Sequence, residues 1–192
     1  MNLPIVLSPS GKIMTTINVP SRDEVSAGNQ ALFDTLNKGL GKVPNLYATL
    51  AHSEYALGSY LALQNAKSSI TGKAREVVNL VVSEVNSCEY CLAAHTVIGK
   101  MNGFSDEQML EIRSGKASFD PKLDTLARLV RNITVERGHA DPALVDEFLA
   151  AGWTKANLVD VIVTIGDKTV TNYLHGTTRV PVDFPAAPKL PA

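Results

Sequence analysis

Apolar residues recur along most of this chain three and four apart, the interval at which one face of an α-helix returns. Ser21 and Glu24 form a capping-box pattern that predicts a helix to about Lys38, with Leu32, Phe33 and Leu36 as its stripe and Gly39 and Gly41 at its end. Pro44 opens a short helix through about Leu50. Ser53 caps another, from Glu54 to about Ala66, with Leu57, Tyr60, Leu61 and Gln64 on one side. Thr71 then caps a helix from Gly72 to about Asn86. Val77, Val78, Leu80, Val81, Val82 and Val85 surround it almost completely, which predicts central burial. Its β-branched content also suits a strand. Glu76, Asn79, Ser83 and Glu84, however, fall at helical rather than alternating intervals.

Downstream, Ser87 is the expected cap of a helix from Cys88 to about Met101, ended by Gly103. Ser105 with Gln108 repeats the capping box for a helix to about Arg113. Asp120-Pro121 and Asp141-Pro142 each place a capping carboxylate before a proline at the first helical position. They predict helices to Arg137 and Ala151, stopped by Gly138 and Gly152. Trp153 then anchors the following turn. Thr154 opens the last long helix, to about Leu174, with two apolar stripes. Leu158, Val161, Ile162 and Ile165 face the core. Val159, Val163, Val170 and Leu174 call for a partner such as another subunit. Residues 1–20 and 176–192, rich in proline, read as extended arms, the second ordered only if something binds it. The expectation is one all-α domain over 1–192, a bundle of about seven or eight helices.

Composition narrows the function. Charged residues make up 19% of the 192 positions, a low share consistent with surface hidden in a homo-oligomer. The net charge of −1 and the absence of a basic run argue against nucleic acid and acidic membranes as partners. No export signal or bilayer-length apolar run is present, so a cytoplasmic location is the default. Only two cysteines occur, Cys88 and Cys91. A disulfide between them closes a very small loop and adds little stability, so redox or metal chemistry is the better reading.

The run Ser87-Cys88-Glu89-Tyr90-Cys91-Leu92-Ala93-Ala94-His95 concentrates that chemistry. Cys88 lies at a helix N-terminus, where unpaired N–H groups and the helix dipole stabilise a thiolate. Positions i and i+3 bring the two sulfurs within disulfide reach. His95, four residues after Cys91, shares its face and can move a thiol proton. Glu76, one helix earlier, can orient His95 or act as a base through water, and Glu84 is the rival carboxylate.

Glu76, eleven residues, Cys88-x-x-Cys91, three residues and His95 form a pattern that resembles the AhpD-like alkylhydroperoxidase branch of the carboxymuconolactone decarboxylase superfamily. The stretch Glu-Tyr-Cys-Leu-Ala-Ala-His-Thr resembles the peroxidase-related members of that branch. Asn172-Tyr173 and Val182-Asp183-Phe184-Pro185 are similar to their C-termini. The resemblance implies an AhpD-like helical bundle and a thiol-dependent peroxidase of the alkyl hydroperoxide reductase type, with no cofactor. It makes Cys91 the peroxidatic thiolate, Cys88 the resolving cysteine, and His95 with Glu76 the proton relay. A hydroperoxide would be the substrate and an external dithiol, lipoyl- or thioredoxin-like, the reductant. Trimers or hexamers are common in the family. Its best-known members carry a histidine between the cysteines, where this chain has Tyr90, a candidate lid, hydrogen-bond donor or interface aromatic.

Other readings stand beside this one. Cys88 and Cys91 can be ordinary buried residues. With His95 they offer three zinc ligands where a structural site needs four, and His52, His139 and His175 lie far away in sequence. His139 reads as a surface residue and His175 as a helix C-terminal cation. The fold can also serve a redox-sensing or binding module without efficient turnover. A cofactor-free decarboxylase or lactone enzyme would use His95 and Glu76 without the thiols.

Overall fold

The structure is a computed structural model that describes residues 6–7, 13–14 and 17–190. It is all-α apart from two short strands, β1 (Val6–Leu7) and β2 (Ile13–Met14), which pair antiparallel with Val6 opposite Met14. Nine α-helices occur among the described residues: α1 (Ala27–Leu40), α2 (Asn45–Leu50), α3 (Ala56–Gln64), α4 (Gly72–Val85), α5 (Glu89–Met101), α6 (Asp106–Arg113), α7 (Pro121–Val135), α8 (Pro142–Ala150) and α9 (Lys155–Thr178). These nine helices correspond one for one to the segments delimited in the sequence, slightly more than the overall count of about seven or eight.

Local chemistry explains most boundaries. At Ser105, Asp120 and Asp141 the capping side chains accept backbone N–H groups of the first turn, as expected. Two starts differ. The Ser21 and Glu24 box forms, but closes only a 3-10 turn at Arg22–Glu24; Ser26 caps α1. The intended cap Ser87 instead takes a left-handed φ of 52° that ends the α4 side of the turn. Cys88 is therefore the cap of α5. Helix α9 runs to Thr178, past Leu174, because Gly176 weakens a helix without breaking it.

The chain divides into two compact units, Met1–Ala66 with Leu174–Asp183, and Lys67–Tyr173 with Phe184–Ala192. In the first, Phe33, Ala48, Leu50, Leu57 and Tyr60 make a small core joined by Leu174. Its Lys42 pairs with Asp183 at 2.9 Å. In the second, α4 is the central helix. Every residue from Glu76 to Ser83 is buried, which is why apolar positions surround it. Its valines and Leu80 pack with Leu126, Leu129 and Val130 of α7, Ile112 of α6 and Phe148 of α8. Each such side chain removed from water contributes roughly 1.5–3 kcal/mol. Trp153 stacks on Phe148 at 5.3 Å and donates to the Lys122 carbonyl, the anchoring role expected of it. Residues 184–190 are held by this unit's own groups rather than awaiting a partner: Phe184 meets Tyr90, and Arg113 donates to the Pro188 carbonyl.

Helix α9 carries an unusual division of faces. Val161 is fully buried and Leu158 and Ile165 pack beside it, while Ile162 is exposed, against expectation. Thr164, Asp167, Lys168, Thr171 and Asn172 are buried polar residues. Val159, Val163, Val170 and Tyr173 lie exposed. Among the described residues no helix is long and apolar enough to cross a membrane.

Candidate active site

The site is built from α4, α5 and α9 within the second unit. Glu76, Asn79 and Ser83 are three and four residues apart on α4, so one polar stripe runs along an otherwise apolar helix. Their helical spacing and their convergence on α5 and α9 have the same cause.

Cys88, at the cap of α5, accepts the Cys91 N–H on its sulfur at 3.3 Å. The left-handed Ser87 beside it costs about 1 kcal/mol for a residue with a Cβ. Both thiols are free and nearly closed off, with 1% of Cys88 and 3% of Cys91 exposed. The thiols also hydrogen-bond to one another. That bond, ahead of burial, pushes the Cys88 thiol well up from its usual value. The same bond pulls Cys91 down, to about 5, against burial and with help from the Lys168 charge and the Asn172 amide. Cys91 is thus the sulfur that ionises first.

His95, one turn further along α5, has both ring nitrogens engaged. Nδ1 lies 2.8 Å from Glu76 Oε2 and Nε2 lies 2.7 Å from Lys168 Nζ. With Lys168 as an ammonium, Nε2 accepts and Nδ1–H donates to the carboxylate. Asn79 Nδ2 donates to the other carboxylate oxygen at 2.9 Å. Burial works to raise Glu76, but His95, Asn79 and Lys168 together hold it below the usual carboxylate range. Among the described residues no three His, Cys, Asp or Glu side chains converge as a metal-binding group.

The structure brings together Glu76, Cys88, Cys91 and His95. It does not bring in Glu84, in the last turn of α4, which accepts from Arg113 Nε of α6 at 2.7 Å. Tyr90, buried on α5, sets its ring edge-on to Phe184 at 5.6 Å and 83°. His139 is exposed and His175 lies in the last turn of α9, both as expected.

Sequence reading missed Lys168, Asn172, Asn79 and Ser83 as parts of this site. Asn172 donates to Ser83 Oγ at 3.3 Å and accepts from Asn86 at 3.0 Å, which fixes its amide beside the sulfurs. A signal existed in the polar spacing 164, 167, 168, 171 and 172, one continuous face of a helix otherwise rich in valine and isoleucine. That face is buried.

Comparison with known proteins agrees with this picture. Residues 51–131 match the model of the carboxymuconolactone decarboxylase family. An uncharacterised peroxidase-related protein from Silicibacter sp. TM1040 has a similar fold, with TM-score 0.75 and 20% identity over 87% of this chain and 91% of that one. An alkylhydroperoxidase AhpD core protein from Ralstonia eutropha JMP134, uncharacterised and peroxidase-related, is similar with TM-score 0.79 and 18% identity, covering 95% and 94%. A debrominase crystallised with 2,3,4-tribromopyrrole is similar at TM-score 0.69 and 11% identity, covering 88% and 90%. No curated protein matches the chain in sequence. Glu76, both cysteines and His95 all lie inside the segment that matches the carboxymuconolactone decarboxylase family model, and the solved structures share the AhpD-like helical fold.

Proposed function

We propose that this protein is a thiol-dependent peroxidase. The observation that carries the reading is the hydrogen-bonded pair of reduced thiols at the head of α5, with ionisation favoured at Cys91. In the first step the Cys91 thiolate attacks the O–O bond of a hydroperoxide. A sulfur–oxygen bond forms, the O–O bond breaks, and the leaving alkoxide takes a proton, giving a sulfenic acid and an alcohol. The Cys88 thiol then displaces water from that sulfenic acid and forms the disulfide. An external dithiol of lipoyl or thioredoxin type is oxidised as it returns both thiols by exchange. His95, oriented by Glu76, belongs to the proton path. The near-complete burial of both sulfurs means that local opening precedes attack, and the Phe184 and Tyr90 contact lies beside that point.

Hydroperoxide consumption in the presence of a dithiol tests the reading. Cys91→Ser is expected to reduce turnover to background. Cys88→Ser is expected to leave a sulfenic acid at Cys91 that a dimedone-type reagent traps. Full activity in Cys91→Ser would eliminate the assignment. One oxidation without cycling would favour a redox sensor, and decarboxylation surviving loss of both thiols would favour a lactone enzyme. A brominated pyrrole belongs in the same assay because a debrominase shares the fold. We also place self-association on the exposed face of α9, with a second copy of the chain as the partner. Val159, Val163, Gly166, Val170 and Tyr173 follow the alternating four-three spacing of a helix-pairing seam.

A further inference from the structure

We propose that Lys168 is the positioning residue that decides which cysteine carries the charge, and that it is itself seated by His95 and Glu76. The inference rests on Cys91 being the nucleophile, and it reorders the proton path as Glu76, His95, Lys168, Cys91.

Two local hydrogen bonds compete over the pair. The Cys91 N–H points at the Cys88 sulfur and favours charge there, as any helix cap does. The bond between the thiols lets one sulfur hold the proton while the other keeps the charge. The bond between the thiols is the largest influence on Cys91, but either sulfur can be its donor, so the bond leaves the choice between them to their surroundings. A cation at one end of the row tips the balance: His95, which holds Lys168, stands one turn from Cys91 and two turns from Cys88 along α5, and the Lys168 charge lowers Cys91.

Lys168 is only 3% exposed, and its one hydrogen bond to a side chain is to His95 Nε2 at 2.7 Å. A buried ammonium needs a compensating charge. Glu76 provides it through the imidazole, 2.8 Å from Nδ1. As the ammonium, Lys168 donates to His95 Nε2, and His95 Nδ1–H donates to Glu76. His95 Nε2 is then an acceptor already occupied, and it cannot also take the Cys91 proton directly. Arg75 on α4 and Asp167 on α9, each next in sequence to a member of this cluster, pair with one another at 3.4 Å. Arg75 and Asp167 offset each other, which leaves Lys168 and Glu76 to set the local field.

The test uses the full chain and no hydroperoxide. Reduced protein is alkylated with iodoacetamide across a pH series, and mass spectrometry reads Cys88 and Cys91 separately. Lys168→Met is expected to slow Cys91 labelling near neutrality by at least about tenfold, the equivalent of one pH unit in its midpoint. Lys168→Arg is expected to restore most of it. Unchanged Cys91 labelling in folded Lys168→Met would overturn the proposal. Should that variant fail to fold, nitrogen NMR of His95 in the native protein decides. An unprotonated Nε2 beside a protonated Nδ1 supports Lys168 as the cation, and a protonated Nε2 overturns it. Because neither readout involves turnover, a protein with this thiolate but no peroxidase activity would keep the role of Lys168 and lose the peroxidase reading.

Discussion

Glu76 is the residue whose protonation should be felt by the whole second unit. Its carboxylate is buried, accepts from Asn79 and His95, and ionises below the usual range. A group with a lowered folded pKa stabilises the fold above its unfolded value, about 4.3 for glutamate, and loses that contribution as pH falls through the folded value. Urea midpoints of the native protein and Glu76→Gln should therefore differ most near neutrality and converge as pH falls below the carboxylate range. A gap that stays constant into acid would show that the carboxylate charge contributes nothing. Glu76, Cys88, Cys91 and His95 were legible because they lie within twenty residues on two adjacent helices, where spacing predicts proximity. Lys168 was not, because its contact with His95 spans 73 positions and has no local periodicity to announce it. Glu84 was misdirected for a related reason: four residues before Cys88, it lies beyond a turn whose direction spacing does not define.

Helix ends behaved most like their sequence. Asp120 accepts from Lys122 N at 3.0 Å and Leu123 N at 3.1 Å at the head of α7, the helix that packs along α4. Asp120→Ala should cost about 1 kcal/mol, read as a lower denaturant midpoint at unchanged slope, and Asp120→Ser should recover part of it. An unshifted midpoint would mean that water satisfies those donors equally well. The cap of α5 was displaced by one residue, from Ser87 to Cys88. Serine is the better capping residue, but the turn after α4 needs a left-handed residue at 87, and that requirement moves the cap onto the sulfur. One consequence is chemical: the displaced cap puts Cys88 and the Cys91 N–H in contact.

For the molecule as a whole, α9 links two properties through opposite faces. Its buried face carries Lys168 and Asn172 to the cysteines, and its exposed face offers Val159, Val163 and Tyr173 to a partner. Gly166 lies in the middle of that seam, with nothing within 4 Å of the position a Cβ would take, so two helix backbones can approach closely there. Sedimentation of the native protein should give a multiple of 20.6 kDa, and Val163→Glu should shift it toward a single chain. A native protein that sediments as one chain at micromolar concentration would remove the seam as an interface.

The all-helical class, most helix boundaries, the burial of α4 and the pairing of Cys88 with Cys91 and His95 were all available from the order of residues. They depend on interactions across three or four positions, which the helical repeat turns directly into neighbours. Packing between distant elements settled the rest. It turned the polar face of α9 inward, gave His95 its lysine, took Glu84 away to Arg113 and held residues 184–190 against Tyr90 and Arg113. A buried cation leaves no mark on local spacing; it is tolerated only where three helices bring a carboxylate, an imidazole and a thiol around it.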